Sequence, residues 1–264
     1  MLRNHDPLGS GMKLRFLGCY GGDLGSCRSS AFLVDSEVLL DAGGAASTLE
    51  LAEARRIRAC VITHPHLDHV ASLPFLLDVR LGCPALRVYA LKETIELVRV
   101  HLFNDRIWPD FGRIPNQRDP MLLFETIAPE RPFTVEGLTF TGIPVHHSVP
   151  TLGFVVSDGR SKFALSSDTG PTRHLWDVVH ATPDVRAVLL EVSFPNRLER
   201  IATASMHLTP AMLREEILKL PAGIAIYLHH LKPAFLDELM RELEPIMAEF
   251  PNVRLAEQGA TYEF

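Results

Sequence analysis

The sequence predicts an α/β fold arranged as a four-layer αββα sandwich, two β-sheets face to face with helices on both outer sides. Two observations predict it. Apolar segments run as hairpins, then strand–helix units, then hairpins and strand–helix units again, which is the pattern of two similar halves. Hydrophobic residues make up 47% and charged residues 22% of the 264 residues, enough apolar material to cover each sheet on both faces. No linker or low-complexity tract interrupts the order, so one domain over residues 1–264 is expected. Met1 to Gly11 forms a polar lead, expected to be flexible.

Taken in order, Lys13–Leu17 reads as a strand entering the Gly-rich loop Gly18–Gly25. Ala31–Asp35 and Glu37–Asp41 follow so closely that they form a hairpin, and Ser47 is positioned to cap a short helix through Ala54. Arg58–Thr63 is an apolar, buried strand ending at a histidine-rich turn, where Pro65 disfavours helix at residue 64. A helix over Asp68–Leu81, the strand Leu86–Ala90 and the helix Lys92–His101 continue the alternation. Asn104–Pro120 has no clear period, and a loop that long inside a compact fold is usually functional. Strands are expected at Phe133–Val135, Leu138–Val145, Leu152–Val156, Lys162–Leu165, Val185–Val192 and Ile224–Leu228. Helices are expected at Pro210–Leu220 and Ala234–Phe250, the last with a kink at Pro245.

Composition narrows the function. A net charge of −6 argues against a protein whose main task is to grip long nucleic acid, because phosphates demand a basic surface. The four cysteines, Cys19, Cys27, Cys60 and Cys83, form no C-x-x-C pair and read as reduced thiols. No apolar window is long enough to span a bilayer, so no membrane association and a cytoplasmic location are expected.

Chemistry concentrates in the histidines. His64-Pro65-His66-Leu67-Asp68-His69 ends a buried strand with four potential ligands close together. Residues two apart in extended backbone face the same side, so His64 and His66 can share one ion. Asp68 and His69 open the next helix and can turn toward a second. Three further strand ends offer ligands: His146-His147, Asp168 and His229-His230. Spacing alone does not split either histidine pair, and Asp168 by itself reads equally as a turn residue. Imidazole and carboxylate together suit two divalent ions, zinc first, with manganese or iron as alternatives.

The segment THPHLDHV resembles the signature of the metallo-β-lactamase superfamily. HLFNDRIWPDF, SSDTGP, LLEVSFPN, ASMHLTP and LHHLKP are similar to the motifs of class II cyclic-nucleotide phosphodiesterases, so the resemblance runs from Gly18 to Pro233. It implies the metallo-β-lactamase fold and hydrolysis of 3′,5′-cyclic nucleotides such as cyclic AMP or cyclic GMP to 5′-nucleotides. It also implies that His64, His66 and His147 hold one ion, that Asp68, His69 and His230 hold the other, and that Asp168 bridges them. His147 is chosen because it precedes Ser148, and His230 because it precedes Leu231-Lys232-Pro233. Asp68 is expected to orient the nucleophile, and His207 to lie near the substrate phosphate and assist the leaving oxygen. Glu191 is a candidate support for a metal-bound histidine.

The run SVPTLGF after His147 is similar instead to the tRNA-processing ribonucleases, which supplies the competing reading, alongside hydrolysis of other small phosphodiesters or esters. Asn104, Arg106 and Trp108 are candidates to line a nucleotide pocket, Trp108 by stacking on a base, although Ile107, Trp108 and Phe111 read equally as anchors of the loop. Arg197 and Arg200 are weaker candidates for phosphate contact. The resemblance leaves homodimerisation open.

Overall fold

The structure, a computed structural model, describes residues 11–264, so all but the last residue of the expected polar lead lies outside the described residues. In chain order the first half contains β1 (Lys13–Gly18), β2 (Ala31–Val34), β3 (Val38–Leu40), α1 (Leu51–Ala54), β4 (Ala59–Val61), α2 (Leu67–Val70) and α3 (Leu73–Val79). It continues with β5 (Leu86–Ala90), α4 (Lys92–His101), the two-residue strands β6 (Pro115–Asn116) and β7 (Asp119–Pro120), and β8 (Leu122–Thr126). The second half runs β9 (Phe133–Val135), β10 (Leu138–Pro144), β11 (Leu152–Ser157), β12 (Lys162–Leu165), α5 (His174–Ala181), β13 (Val185–Glu191), α6 (Glu199–Ser205) and α7 (Pro210–Ile217). It closes with β14 (Ala225–His229), α8 (Leu236–Glu249), β15 (Val253–Leu255) and β16 (Thr261–Glu263).

Two seven-stranded sheets result, ordered β16-β1-β2-β3-β4-β5-β8 and β15-β14-β13-β12-β11-β10-β9. Each is antiparallel where its strands are joined by hairpins and parallel where helices intervene, as at β3–β4–β5–β8 and β12–β13–β14–β15. The doubled order in the sequence is thus a doubled topology. Phe16 and Phe32 from one sheet meet Phe140, Phe154, Phe163 and Leu189 from the other in the central apolar layer. The outer face of the first sheet packs on α3 and α4 through Leu73, Leu76, Leu77 and Val98. The outer face of the second packs on α5, α7 and α8 through Trp176, Leu213, Leu239 and Leu243. These are the four layers expected.

Phe154 is fully buried between the sheets, with its ring 6.2 Å from Phe140 and 6.5 Å from Phe133. Phe154→Ala should therefore cost about 3–5 kcal/mol in urea denaturation, from lost transfer energy and the cavity left behind. A cost below about 1 kcal/mol would mean that the two sheets are not packed as described.

Three local expectations are corrected. The helix expected over Asp68–Leu81 is two helices, because Pro74 sits in the first turn of α3, where it lacks the N–H that a continuous helix would use. Ser47 does not cap a helix through Ala54; it lies in a short 3-10 turn, and α1 is capped by Glu50, whose backbone N–H donates to Glu53 Oε2 at 3.0 Å. Strands β8, β15 and β16 and helices α5 and α6 also exceed the sequence expectation. Pro245 does lie inside α8. All four cysteines are free, and among the described residues no helix is long and apolar enough to cross a membrane.

Candidate metal centre

The parallel strands place the chemistry. His64 follows β4, Asp168 follows β12 and His230 follows β14, so three separate chain segments deliver side chains beyond the carboxyl ends of parallel strands, a usual place for sites in α/β sheets. His147 arrives from the end of β10. Close backbone packing holds them there. The N–H of His230 donates to the Cys19 carbonyl at 2.6 Å, and His230 adopts φ 68°, a turn few non-glycine residues make. A Cβ at Gly21 would stand 2.7 Å from the His230 carbonyl oxygen, and one at Gly43 2.1 Å from that of Asp68. The Gly-rich loop is therefore a close-approach element beside the site.

Two ligand sets that share Asp168 emerge, beside a third group of Glu191, His207 and His230. In the first, His64 Nε2 and His147 Nε2 lie 3.1 and 3.2 Å from His66 Nδ1, and His64 Nε2 lies 3.6 Å from Asp168 Oδ2. In the second, Asp168 Oδ2 lies 3.3 Å from His69 Nε2 and 3.1 Å from His230 Nε2, and Asp68 Oδ2 lies 3.3 Å from His230 Nε2. Both sets have ligand-type geometry, and both contain Asp168. An ion bound at about 2.0–2.1 Å from nitrogen leaves its ligand atoms roughly 3–3.4 Å apart, the spacing of all these pairs except His64–Asp168 at 3.6 Å. His69 Nε2, His230 Nε2 and Asp168 Oδ1 are buried without any hydrogen-bond partner, a costly state for polar atoms unless a cation sits among them.

The outer nitrogens explain why the inner ones are free. His69 Nδ1 donates to Asp41 Oδ2 at 2.7 Å. Thr63 Oγ1 donates to the same oxygen at 2.9 Å, so it must accept from His64 Nδ1, also at 2.9 Å. His147 Nδ1 donates to the Met206 carbonyl at 3.2 Å. His230 Nδ1 donates to Ser193 Oγ at 2.9 Å, and that hydroxyl donates to Glu191 Oε2 at 2.8 Å. Four imidazoles are thus fixed with the proton on Nδ1 and the Nε2 lone pair turned inward, the outer support metal-binding histidines usually carry.

Electrostatics point the same way. Burial, aided by neighbouring imidazoles, pushes His64 well below its ordinary pKa and takes His147 down to about 4, so both are neutral near pH 7. Burial also lowers His66 and His230. Burial would lower His69 too, but the Asp168 and Asp41 carboxylates outweigh it and raise its pKa well above the ordinary value. Burial opposes ionisation of Asp168, yet His230 and His69 hold its carboxyl well below the usual range. Ionised Asp168 among imidazoles that, His69 apart, are pushed toward the neutral form makes a cage that suits a cation.

The structure brings His64, His66, Asp68, His69, His147, Asp168 and His230 into this one cage. It also separates the paired histidines. His146 is exposed, whereas His229 is buried with its ring edge-on to Phe32. His207 lies at the rim, its ring centroid 5.1 Å from His147 and 5.2 Å from His230, and its Nδ1 donates to Glu191 Oε1 at 2.8 Å. Asn104 and Trp108 are not brought to the cage. Asn104 spends its amide on the Val100 carbonyl and on the N–H groups of Arg106 and Ile107, and Trp108 packs edge-on against Phe75. Asn104 thus makes its contacts within the loop and with the end of α4, and Trp108 makes its contact with α3. Arg197 pairs with Glu238 and Arg200 is exposed, so neither approaches the cage.

Sequence reasoning passed over Asp41, Ser193 and Lys232. Asp41 looked like the end of a strand before Gly43-Gly44; its left-handed φ of 58° and full burial mark it as a support for His69. Lys232 Nζ lies 3.5 Å from Asp68 Oδ2. Asp41→Asn should weaken metal binding by about 10–100-fold, because the amide no longer holds the His69 tautomer. Competition with a chromophoric chelator reads this, and unchanged affinity would remove Asp41 from the site.

A family model described as a beta-lactamase superfamily domain matches residues 36–230. The chain belongs to that superfamily and is a hydrolase of the metallo-β-lactamase type. A probable 3′,5′-cyclic-nucleotide phosphodiesterase of Yersinia pestis is 27% identical over 212 residues, 68% of this chain and 58% of the relative. A 3′,5′-cyclic-nucleotide phosphodiesterase of Aliivibrio fischeri is 27% identical over 235 residues, 71% of this chain and 69% of the relative. The match to the Yersinia protein therefore spans little more than half of that protein's length. The crystal structure of unliganded yeast PDE1 superposes with a TM-score of 0.81 at 18% identity, covering 97% of this chain and 100% of the other, a likeness of fold.

Proposed function

We propose that this chain is a dinuclear, metal-dependent phosphodiesterase that hydrolyses 3′,5′-cyclic nucleotides to 5′-nucleotides. The observation that carries the reading is Asp168 Oδ2, shared by two histidine–carboxylate sets. Relatives bearing the cyclic-nucleotide phosphodiesterase name support the substrate class. His64, His66 and His147 would hold one ion, Asp68, His69 and His230 the other, and Asp168 would join them. Zinc suits the donor set, with manganese or iron as alternatives. When bound, the metal pair supplies Lewis-acid stabilisation of the phosphoryl oxygens and a water acidic enough to attack at neutral pH.

The protein's own groups do the rest. Asp68 accepts a hydrogen bond from the attacking water and aims it at phosphorus; burial opposes its ionisation, but His230 and His69 outweigh it and hold the carboxyl well below the usual range. His207 donates a proton to the departing 3′ oxygen. Burial works against a protonated His207, but the Glu191 carboxylate outweighs it and raises the pKa above the ordinary value, which favours a proton donor at neutral pH. Glu191 also fixes that proton-bearing ring by taking Nδ1–H, leaving Nε2 for the leaving group.

His207→Ala should lower kcat on cyclic AMP by about 10²–10⁴-fold with metal content unchanged. The loss on bis(p-nitrophenyl) phosphate should be far smaller, since p-nitrophenolate departs without a proton. Equal losses on both substrates would rule out the donor role. A parallel panel of cyclic AMP, cyclic GMP, bis(p-nitrophenyl) phosphate and a precursor tRNA tests the substrate class. Cleavage of the tRNA alone would overturn the reading; the net charge of −6 argues for the small substrate.

A further inference from the structure

Beside the cage lies an apolar groove that the reaction described above leaves unused. Its volume is about 520 Å³, within the roughly 300–1,000 Å³ range of ligand pockets. Leu67, Leu97, His101, Ile107 and Val149 line it, and His66 forms the wall that it shares with the cage. Among the described residues, no Asp, Glu, Lys or Arg side chain lines it. Leu67 and Ile107 are 64% and 65% exposed, an open apolar surface at the mouth of a polar site.

We propose that this groove is the subsite for the base of the substrate, with a neutral, flat heterocycle such as a purine as its occupant. The inference rests on the phosphodiesterase reading and adds where the substrate points. The cage is ionic and takes the phosphate. The groove is apolar and adjoins it across a single residue, His66, so a molecule with an anionic end and a flat apolar end spans both. A phosphate or a free sugar would find no hydrogen-bond partner there beyond the imidazoles. The same poverty of donors and acceptors means that the polar edges of adenine and guanine are scarcely distinguished. Ile107 from the long loop, Leu97 from α4 and Val149 all line the groove and would pack on the base. The loop's role is thus carried by Ile107 rather than by Asn104 or Trp108.

The test uses Ile107→Asp and Leu97→Asp in the metal-loaded protein, with kinetics on cyclic AMP, cyclic GMP and base-free 3′,5′-cyclic ribose phosphate, and with mass by light scattering. Wild-type kcat/KM for cyclic AMP and cyclic GMP should agree within about fivefold. Each variant should raise KM for both nucleotides about tenfold or more, leave kcat within about twofold and leave the base-free substrate unaffected. If wild type hydrolyses cyclic nucleotides but the variants keep its KM, the groove assignment alone falls. A dimer that becomes a monomer in the variants, with KM unmoved, makes the groove a seat for a second copy and likewise overturns the proposal. If wild type hydrolyses no cyclic nucleotide, the phosphodiesterase reading itself fails.

Discussion

Replacing Asp168 with alanine should lower kcat/KM by more than about a thousandfold, the scale expected when Lewis-acid stabilisation worth several kcal/mol is lost. The carboxylate reaches both ligand sets, so its removal weakens both rather than one. The variant should bind fewer metal ions per chain while keeping its far-UV circular dichroism, because Asp168 lies beyond the end of β12 rather than inside the inter-sheet layer. Asp168→Asn is the companion test. An amide keeps the shape and one oxygen but not the charge, so its activity should also collapse. Retained turnover in either variant would contradict a shared ligand.

Adding metal to chelated protein should produce the largest change in stability. Without a cation, buried nitrogens of His69 and His230 and one oxygen of Asp168 lack partners, and desolvated groups of that kind are expensive. A ligand present at a thousand times its dissociation constant stabilises the folded state by about 4 kcal/mol. For a chain of this size that corresponds to a rise in melting temperature of roughly 10 °C. Differential scanning calorimetry with zinc or manganese reads the shift directly. The same addition should move Asp168→Ala by less than half as much. A melting temperature indifferent to metal would mean that the cage does not hold a cation.

Much of this was legible in the sequence, for physical reasons. His64, His66, Asp68 and His69 sit within one turn after an apolar strand, so local spacing alone brings them together. Doubled hairpin and strand–helix order revealed the two sheets because sheet topology follows the order of the periods. Asp168 and His230 were harder, since only the parallel pairing of β12, β13 and β14 brings their strand ends side by side. Their roles came from resemblance rather than from spacing.

What stayed hidden has a common cause. Asp41 supports His69 from 28 residues away, and Glu191 with Ser193 supports His207 and His230 across separate strands. Nothing local marks such contacts. Trp108 and Asn104 looked chemical because a long aperiodic loop held them; the packing of Trp108 on Phe75 is a tertiary contact that no local pattern announces, and the hydrogen bonds of Asn104 go to the loop and the end of α4. Strands β15 and β16 span three residues each, too short for alternation to show. Pro74 was visible, and weighing its missing N–H would have split the helix at that point.

The most direct test is the metal stoichiometry of chelated protein reloaded with zinc, measured by inductively coupled plasma mass spectrometry on wild type and on Asp168→Ala. Two ions per wild-type chain, and at most one in the variant, is the result expected from a carboxylate shared between two histidine–aspartate sets. A wild-type chain that binds no metal, or a variant that still binds both ions, would contradict it.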